Sequence, residues 1–308
     1  MKITPKLKTI FLSLIVMALW GSLFPFIKIG YSAFSIDSSN IPSILMFAGT
    51  RFIVCGIIIF LITLLKNRFS KGTPAHFQKG KAILEILLIG LFTIILHYSL
   101  LYIGISITDS SKTAIIKQLG SLFYVCFAFL FIKSEKFSIW KIVGALLGFC
   151  GIVAINFSTD GIGFSYGDIL IISASFCTVV ANIISKKALV SNSPFWVTGI
   201  SQLSGGCVLF VIALILGADI LNFDLNALLV FAYICTASTV AYILWNYILR
   251  TNSLSGMFII KFSEPLFACV FGAMLLGEDI FKWQYLIAFI LISGGIVLGN
   301  RKSRKNES

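Results

Sequence analysis

Six ionisable side chains sit in stretches of sequence that are otherwise almost wholly apolar: the bases Lys28, Arg51, Lys117 and Lys261, the acid Glu264, and His97. In hydrocarbon a central charge costs about 2.5–3.5 kcal/mol even on the lenient insertion scale, so four unpaired bases facing lipid would cost on the order of 10 kcal/mol. They must therefore face a wet cavity, a partner or the interface. One acid against four bases leaves a positive excess, whose natural complement is a carboxylate or phosphate.

Two readings of these groups stand side by side. In the functional one, Lys117 and Lys261 flank a central site and attract an anion, with Arg51 contributing. In the structural one, Lys261 pairs with Glu264 one turn away on the same face, while Lys28 and Arg51 snorkel or brace the bundle. Glu264 precedes Pro265, whose ring removes the hydrogen bond to the carbonyl of Lys261. The expected kink brings Lys261, Glu264 and freed backbone polarity together. A buried carboxylate there can couple proton movement to transport, or serve as one half of a permanent ion pair. Pro25 likewise frees the carbonyl of Gly21 and predicts a bend beside Trp20. His97, with Tyr98 and Tyr102, offers hydrogen bonds or packing, as do Gln118 beside Lys117 and Trp245 beside Tyr242 and Asn246. The expected substrate-contacting set is Lys117, Lys261, Glu264, Arg51, His97, Tyr98, Gln118 and Trp245.

The elements that position this set are membrane helices. Of 308 residues, 58% are hydrophobic and 12% charged, and the mean hydropathy is +1.00, outside the range of soluble domains. The apolar stretches run to about 20 residues without period-2 alternation, which selects helices over a barrel. Ten such segments are marked, at about 9–31, 42–65, 82–106, 111–132, 138–157, 166–187, 194–217, 225–248, 253–276 and 282–300. The first follows Lys2, Lys6 and Lys8 but is too long for a cleaved signal core, so it counts as a span. The expected fold class is all-α, a polytopic membrane protein with ten transmembrane helices.

Charge sets the expected orientation. With the N-terminus cytoplasmic, the inner loops take 18 of the 24 Lys and Arg, the outer loops only Lys112 and Lys282, and four lie inside the segments. Both termini are then cytoplasmic, in a multi-pass plasma-membrane protein. The +12 charge lies in loops facing the bilayer surface, and no nucleic-acid partner is implied. Seven cysteines fall in apolar stretches without metal-ligand spacing, so neither metal nor cofactor is expected.

Ile115 to Asn156 is echoed by Ile259 to Asn300: Lys117 matches Lys261, Leu122 matches Leu266, Trp140 matches Trp283 and Gly151 matches Gly295. The fourth and fifth segments thus repeat as the ninth and tenth. Five helices per half is an odd number, so the halves enter the membrane inverted, as in secondary transporters. The units are expected at 1–157 and 158–308.

Trp20-Gly21-Ser22 with Phe24, Ser263-Glu264-Pro265-Leu266-Phe267, Leu276-Gly277-Glu278 and Ser293-Gly294-Gly295 resemble the drug/metabolite transporter superfamily, specifically its EamA-type branch, over nearly the whole chain. The sequence departs from that pattern at Ser121, where a proline is expected, at Lys133-Ser134-Glu135 in place of a Gly-Glu pair, and at Ile287 opposite Gly144. The resemblance implies an alternating-access carrier with a cavity lined by segments 1, 3, 4, 6, 8 and 9, and with segments 5 and 10 as scaffold. Phosphate-translocating members of the superfamily use lysines on the corresponding helices.

Chemistry narrows the class further. There is no GxxxxGK[ST] loop for an ATP-driven pump, and neither HExxH nor paired catalytic acids for an enzyme. The expected activity is secondary transport, by export or exchange, of an amino acid or another carboxylate- or phosphate-bearing metabolite. Its partners are the small-molecule substrate, the lipid bilayer, and a coupled proton or counter-substrate. The alternatives are an exporter of cationic or neutral compounds and, from another class, a channel or membrane sensor. The glycine faces of segments 5 and 10 are expected to meet within a monomer, with a weak homodimer as the alternative.

Overall fold

The structure is a computed structural model that describes residues 5–37, 39–69, 77, 80–106, 116–132, 135–156, 165–277 and 283–300. Among these residues every regular element is helical: α1 (Pro5–Ala33), α2 (Ile41–Phe69), α3 (Lys81–Gly90), α4 (His97–Ser106), α5 (Leu119–Phe131), α6 (Ile139–Asn156), α7 (Tyr166–Ala188), α8 (Pro194–Ile215), α9 (Leu225–Thr251), α10 (Leu254–Lys261), α11 (Glu264–Leu276) and α12 (Trp283–Gly299). Between α3 and α4 the chain continues helically, but Leu91–Leu96 is wound as a π-helix. Among the described residues seven stretches are long and apolar enough to cross a membrane, namely Leu7–Ala33, Ile41–Arg68, Ala82–Gly104, Tyr166–Ala188, Pro194–Ile215, Leu225–Thr251 and Leu254–Leu276, and three shorter apolar helices accompany them. A 29-residue helix such as α2 rises about 43 Å, enough to span hydrocarbon and both interfaces with tilt.

Local chemistry starts and stops these helices. Ser165 and Asp168 form a capping box at α7, Asp224 accepts from the Ala227 amide to start α9, and Ser253 accepts from Gly256 to start α10. α11 ends at Gly277, whose φ of 69° lies where side chains with a Cβ are disfavoured.

Two breaks position the chemistry. The ninth segment is split at Phe262 and Ser263 into α10 and α11, as Pro265 predicts. The fourth segment breaks too: Lys117 and Gln118 form a turn before α5, although Ser121 occupies the proline's place. There the Ser175 hydroxyl of α7 accepts from the Gly120 amide at 3.1 Å, so a side chain on a neighbouring helix satisfies a donor at the break. By contrast α1 runs as one helix through Pro25. Residues 111–115 of the fourth segment, with Lys112, Glu278 and Lys282, lie outside the described residues.

Glycine governs the tightest contacts. α6 packs on α12, where a Cβ on Gly144 would stand 2.6 Å from the Gly295 carbonyl, so the two scaffold helices meet within the chain. α2 packs on α8, where a Cβ on Gly49 or Gly206 would stand 2.7 Å from backbone of the facing helix.

Candidate functional site

These helices enclose a cavity of about 340 Å³ lined by Trp20, Phe24, Lys28 and Tyr31 of α1, Arg51 of α2, Thr93 and Ile94 of the π-helix, His97, Tyr98 and Tyr102 of α4, and Lys117. Thr178 and Asn182 of α7, Thr198 and Gln202 of α8, Tyr242, Trp245 and Asn246 of α9, Lys261 and Glu264 also line it. Seven of the eight expected residues meet there. Gln118 does not line it: the side chain is buried beside the break, and its Oε1 has no hydrogen-bond partner. The cavity also takes side chains from α2 and α8, beyond the six segments the resemblance implies.

At one pole lie Lys117, Lys261 and Glu264. The Lys117 ammonium bonds Glu264 Oε1 at 3.4 Å, with side chains 20% and 6% exposed. The acid's partner is therefore the lysine of the other half, and the i,i+3 pairing with Lys261 does not form. The break between α10 and α11 explains this, since two residues separated by a turn no longer share one helical face. Lys261 Nζ instead stands 6.0 Å from the Trp20 ring and 5.9 Å from Phe258, and Lys117 Nζ lies 4.7 Å from Phe24. Lys117 lies in the turn before α5 and Lys261 is the last residue of α10, just before the turn that leads into α11, so each stands beside the positive dipole end of a half-helix. Glu264 occupies the first turn of α11, where that dipole stabilises an anion.

The opposite pole is Arg51. It is 1% exposed, with its guanidinium carbon 4.3 Å from the Phe52 ring centroid and 5.3 Å from that of Tyr98. Tyr102 and Tyr242 are its further electrostatic neighbours. Between the poles run the rings of Trp20 and Tyr242, 5.5 Å apart, and Trp245, 5.2 Å from Trp20.

His97 is held by a hydrogen bond to α7. Its Nδ1 lies 2.9 Å from the carbonyl of Ala174, which can only accept, so Nδ1 carries the proton and Nε2 is left as acceptor in the neutral ring. Trp245 Nε1 donates to Asn182 at 2.6 Å, and Asn246 donates to Thr198 at 2.8 Å. Asn182, Thr198 and Gln202 are lining groups that the sequence reading passed over. Their signal was present, as amide and hydroxyl groups inside apolar segments.

The cavity's exposed rim includes Phe24 and Lys28. At the other end Ala188, Leu189, Ile248, Leu249 and Leu254 are each at most 2% exposed. Outside that plug Glu135 joins the two halves, accepting from Ser255 Oγ at 2.7 Å and from Lys141 at 3.0 Å. Burial raises the pKa of Glu135, but the Ser255 hydroxyl and the Lys141 charge more than offset it, leaving the carboxyl below its ordinary value.

Comparison with known proteins adds relatives of one kind. Residues 7–157 and 165–300 match the EamA-like transporter family. An uncharacterised inner-membrane transporter of Escherichia coli, YedA, is 25% identical over 281 residues, 89% of this chain and 85% of its own length. The Bacillus subtilis transporter YoaV, also uncharacterised, is 22% identical over 92% of this chain and 93% of its own. One solved crystal structure superposes with a TM-score of 0.75 over 94% of this chain and 96% of that one, at 16% identity, a likeness of fold.

Proposed function

The chain belongs to the EamA-like transporter family, and from that premise we propose that it is a secondary active transporter of a small anionic metabolite, working by alternating access around the basic cavity. In this reading the ten apolar segments are ten spans in two inverted five-helix repeats, 1–157 and 158–308, with both termini cytoplasmic. The favoured substrate is an amino acid or another carboxylate- or phosphate-bearing compound, moved by export or exchange.

The observation that carries the proposal is the meeting of the repeat-related Lys117 and Lys261 in one cavity, each at a helix break and with the carboxylate of Glu264 paired to Lys117. Broken helices whose positive ends face a central site are the arrangement by which inverted-repeat carriers hold anionic groups. Lys117 and Lys261 bind the acid group, Glu264 holds Lys117 in place until substrate arrives, and the Trp20, Tyr242 and Trp245 rings flank the substrate body. Given the orientation that the basic loops support, the plugged end is cytoplasmic and the open rim faces outward. Alternation then requires the Glu135–Ser255 link to part while the rim near Phe24 closes.

A thermal-shift screen of the purified protein against metabolite pools tests this. Carboxylates or phosphates should stabilise it, and the shift should vanish in Lys117→Met. Stabilisation by cations alone would reject the anionic reading.

A further inference from the structure

Resting on that anionic reading, we infer that Arg51 is a second anion subsite, and that the substrate class is narrower than any single acid: small compounds bearing two acidic groups, dicarboxylates or phosphorylated carboxylates. One group is taken by Lys117 and Lys261, the other by Arg51.

The charge balance of the cavity leads there. Lys117 is matched by Glu264, which leaves the ammonium of Lys261 over its mid-cavity rings as the uncompensated charge of that pole. Arg51 is the uncompensated charge of the other. An arginine cannot shed its proton in a protein, and no carboxylate among the described residues pairs with this one. The ring faces of Phe52 and Tyr98 attract the cation but do not satisfy its N–H donors, and Nε has no hydrogen-bond partner although it is buried. The side chain is held in place and left with donors to spare. A guanidinium in that condition is suited to a bidentate grip on a carboxylate or phosphate.

The two poles are joined by a continuous run of rings. Arg51 stands 5.3 Å from the Tyr98 ring, Tyr98 neighbours Tyr242 in the cavity lining, Tyr242 stands 5.5 Å from Trp20, and Trp20 carries Lys261 at 6.0 Å. A short carbon body lies against this wall with an acid group at each end. A monoacid leaves one pole unmatched, and so does a monocarboxylic amino acid, so among amino acids only the acidic ones carry the two groups this cavity asks for.

The test is a matched set of probes on the purified full-length protein, read as dissociation constants from thermal shift or calorimetry. Hexanoate and adipate share a carbon skeleton and differ by one carboxylate; succinate, glutarate and phosphoenolpyruvate vary the spacing and the acid, and leucine supplies the zwitterion. At least one diacid should bind about tenfold or more tighter than hexanoate and leucine. That ratio should fall to about one in Arg51→Met and to an intermediate value in Arg51→Lys, which keeps the charge and loses the fork. Should Arg51→Met fail to remain monodisperse, Arg51→Lys alone decides. Diacids binding no better than hexanoate or leucine, or a ratio unmoved by either substitution, overturns the subsite while leaving an anion carrier standing. Absence of binding by every acid in the unmutated protein overturns both.

Discussion

Glu264 pairs across the molecule with Lys117, 147 residues away in sequence and 3.4 Å away in space. The cavity's charge is therefore set by both halves together, and single substitutions should move anion affinity in opposite directions. Glu264→Gln adds one net positive charge and should tighten binding of a carboxylate probe about tenfold. Lys117→Met removes one and should weaken it by about the same factor. The double substitution restores the net charge, and its departure from additivity measures the coupling between the pair.

The scaffold contact is tested by two glycines that differ in their surroundings. A Cβ at Gly144 would meet the Gly295 carbonyl at 2.6 Å and Gly299 at 2.7 Å, whereas one at Gly294 meets nothing within 4 Å. Gly144→Ala should cost about 1–3 kcal/mol by forcing α6 and α12 apart. Gly294→Ala should be neutral or slightly stabilising, and melting curves in one detergent separate the two.

The Glu135 link predicts an acid sensitivity. Its carboxyl has a folded-state pKa below the ordinary 4.5, so the link contributes stability that is present above about that pH and lost as pH falls through the lower folded value. Thermal stability should hold flat in this respect from neutral pH to about pH 5. Glu135→Gln should remove about 1–3 kcal/mol at pH 7 and abolish the contribution of this group to the acid limb.

The break before α5 depends on a hydroxyl. Ser175→Ala leaves the Gly120 amide without its acceptor and should cost about 1–3 kcal/mol, the penalty for a buried unsatisfied donor. Faster amide exchange at Gly120 than in the parent is the direct readout.

What could be read from sequence divides along physical lines. The break at Lys261 was legible because Pro265 removes a defined hydrogen bond. Its counterpart at Lys117 had only the repeat to announce it, since Ser121 can continue a helix and the compensating hydroxyl is Ser175 on a different helix. The same breaks defeated the pairing of Glu264 with Lys261, which assumes continuous helical geometry from residue to residue. Cavity membership was largely readable from the cost of burying charge, which singled out Arg51, Lys117 and Lys261. The ring cluster around Arg51 was not, because Tyr98, Tyr102 and Tyr242 reach it from two other helices, and Gln118 stands outside the lining because it sits in the turn itself, where helical spacing from Lys117 does not set its direction.

The central claim is that Lys117 and Lys261 together form the seat of an anionic substrate. It is tested most directly by counterflow of a radiolabelled acid, identified in the binding screen, into proteoliposomes preloaded with the unlabelled compound. The parent protein should accumulate label transiently, and Lys261→Met and Lys117→Met, each shown to be folded, should both lose that overshoot. Undiminished counterflow in either variant would contradict the account.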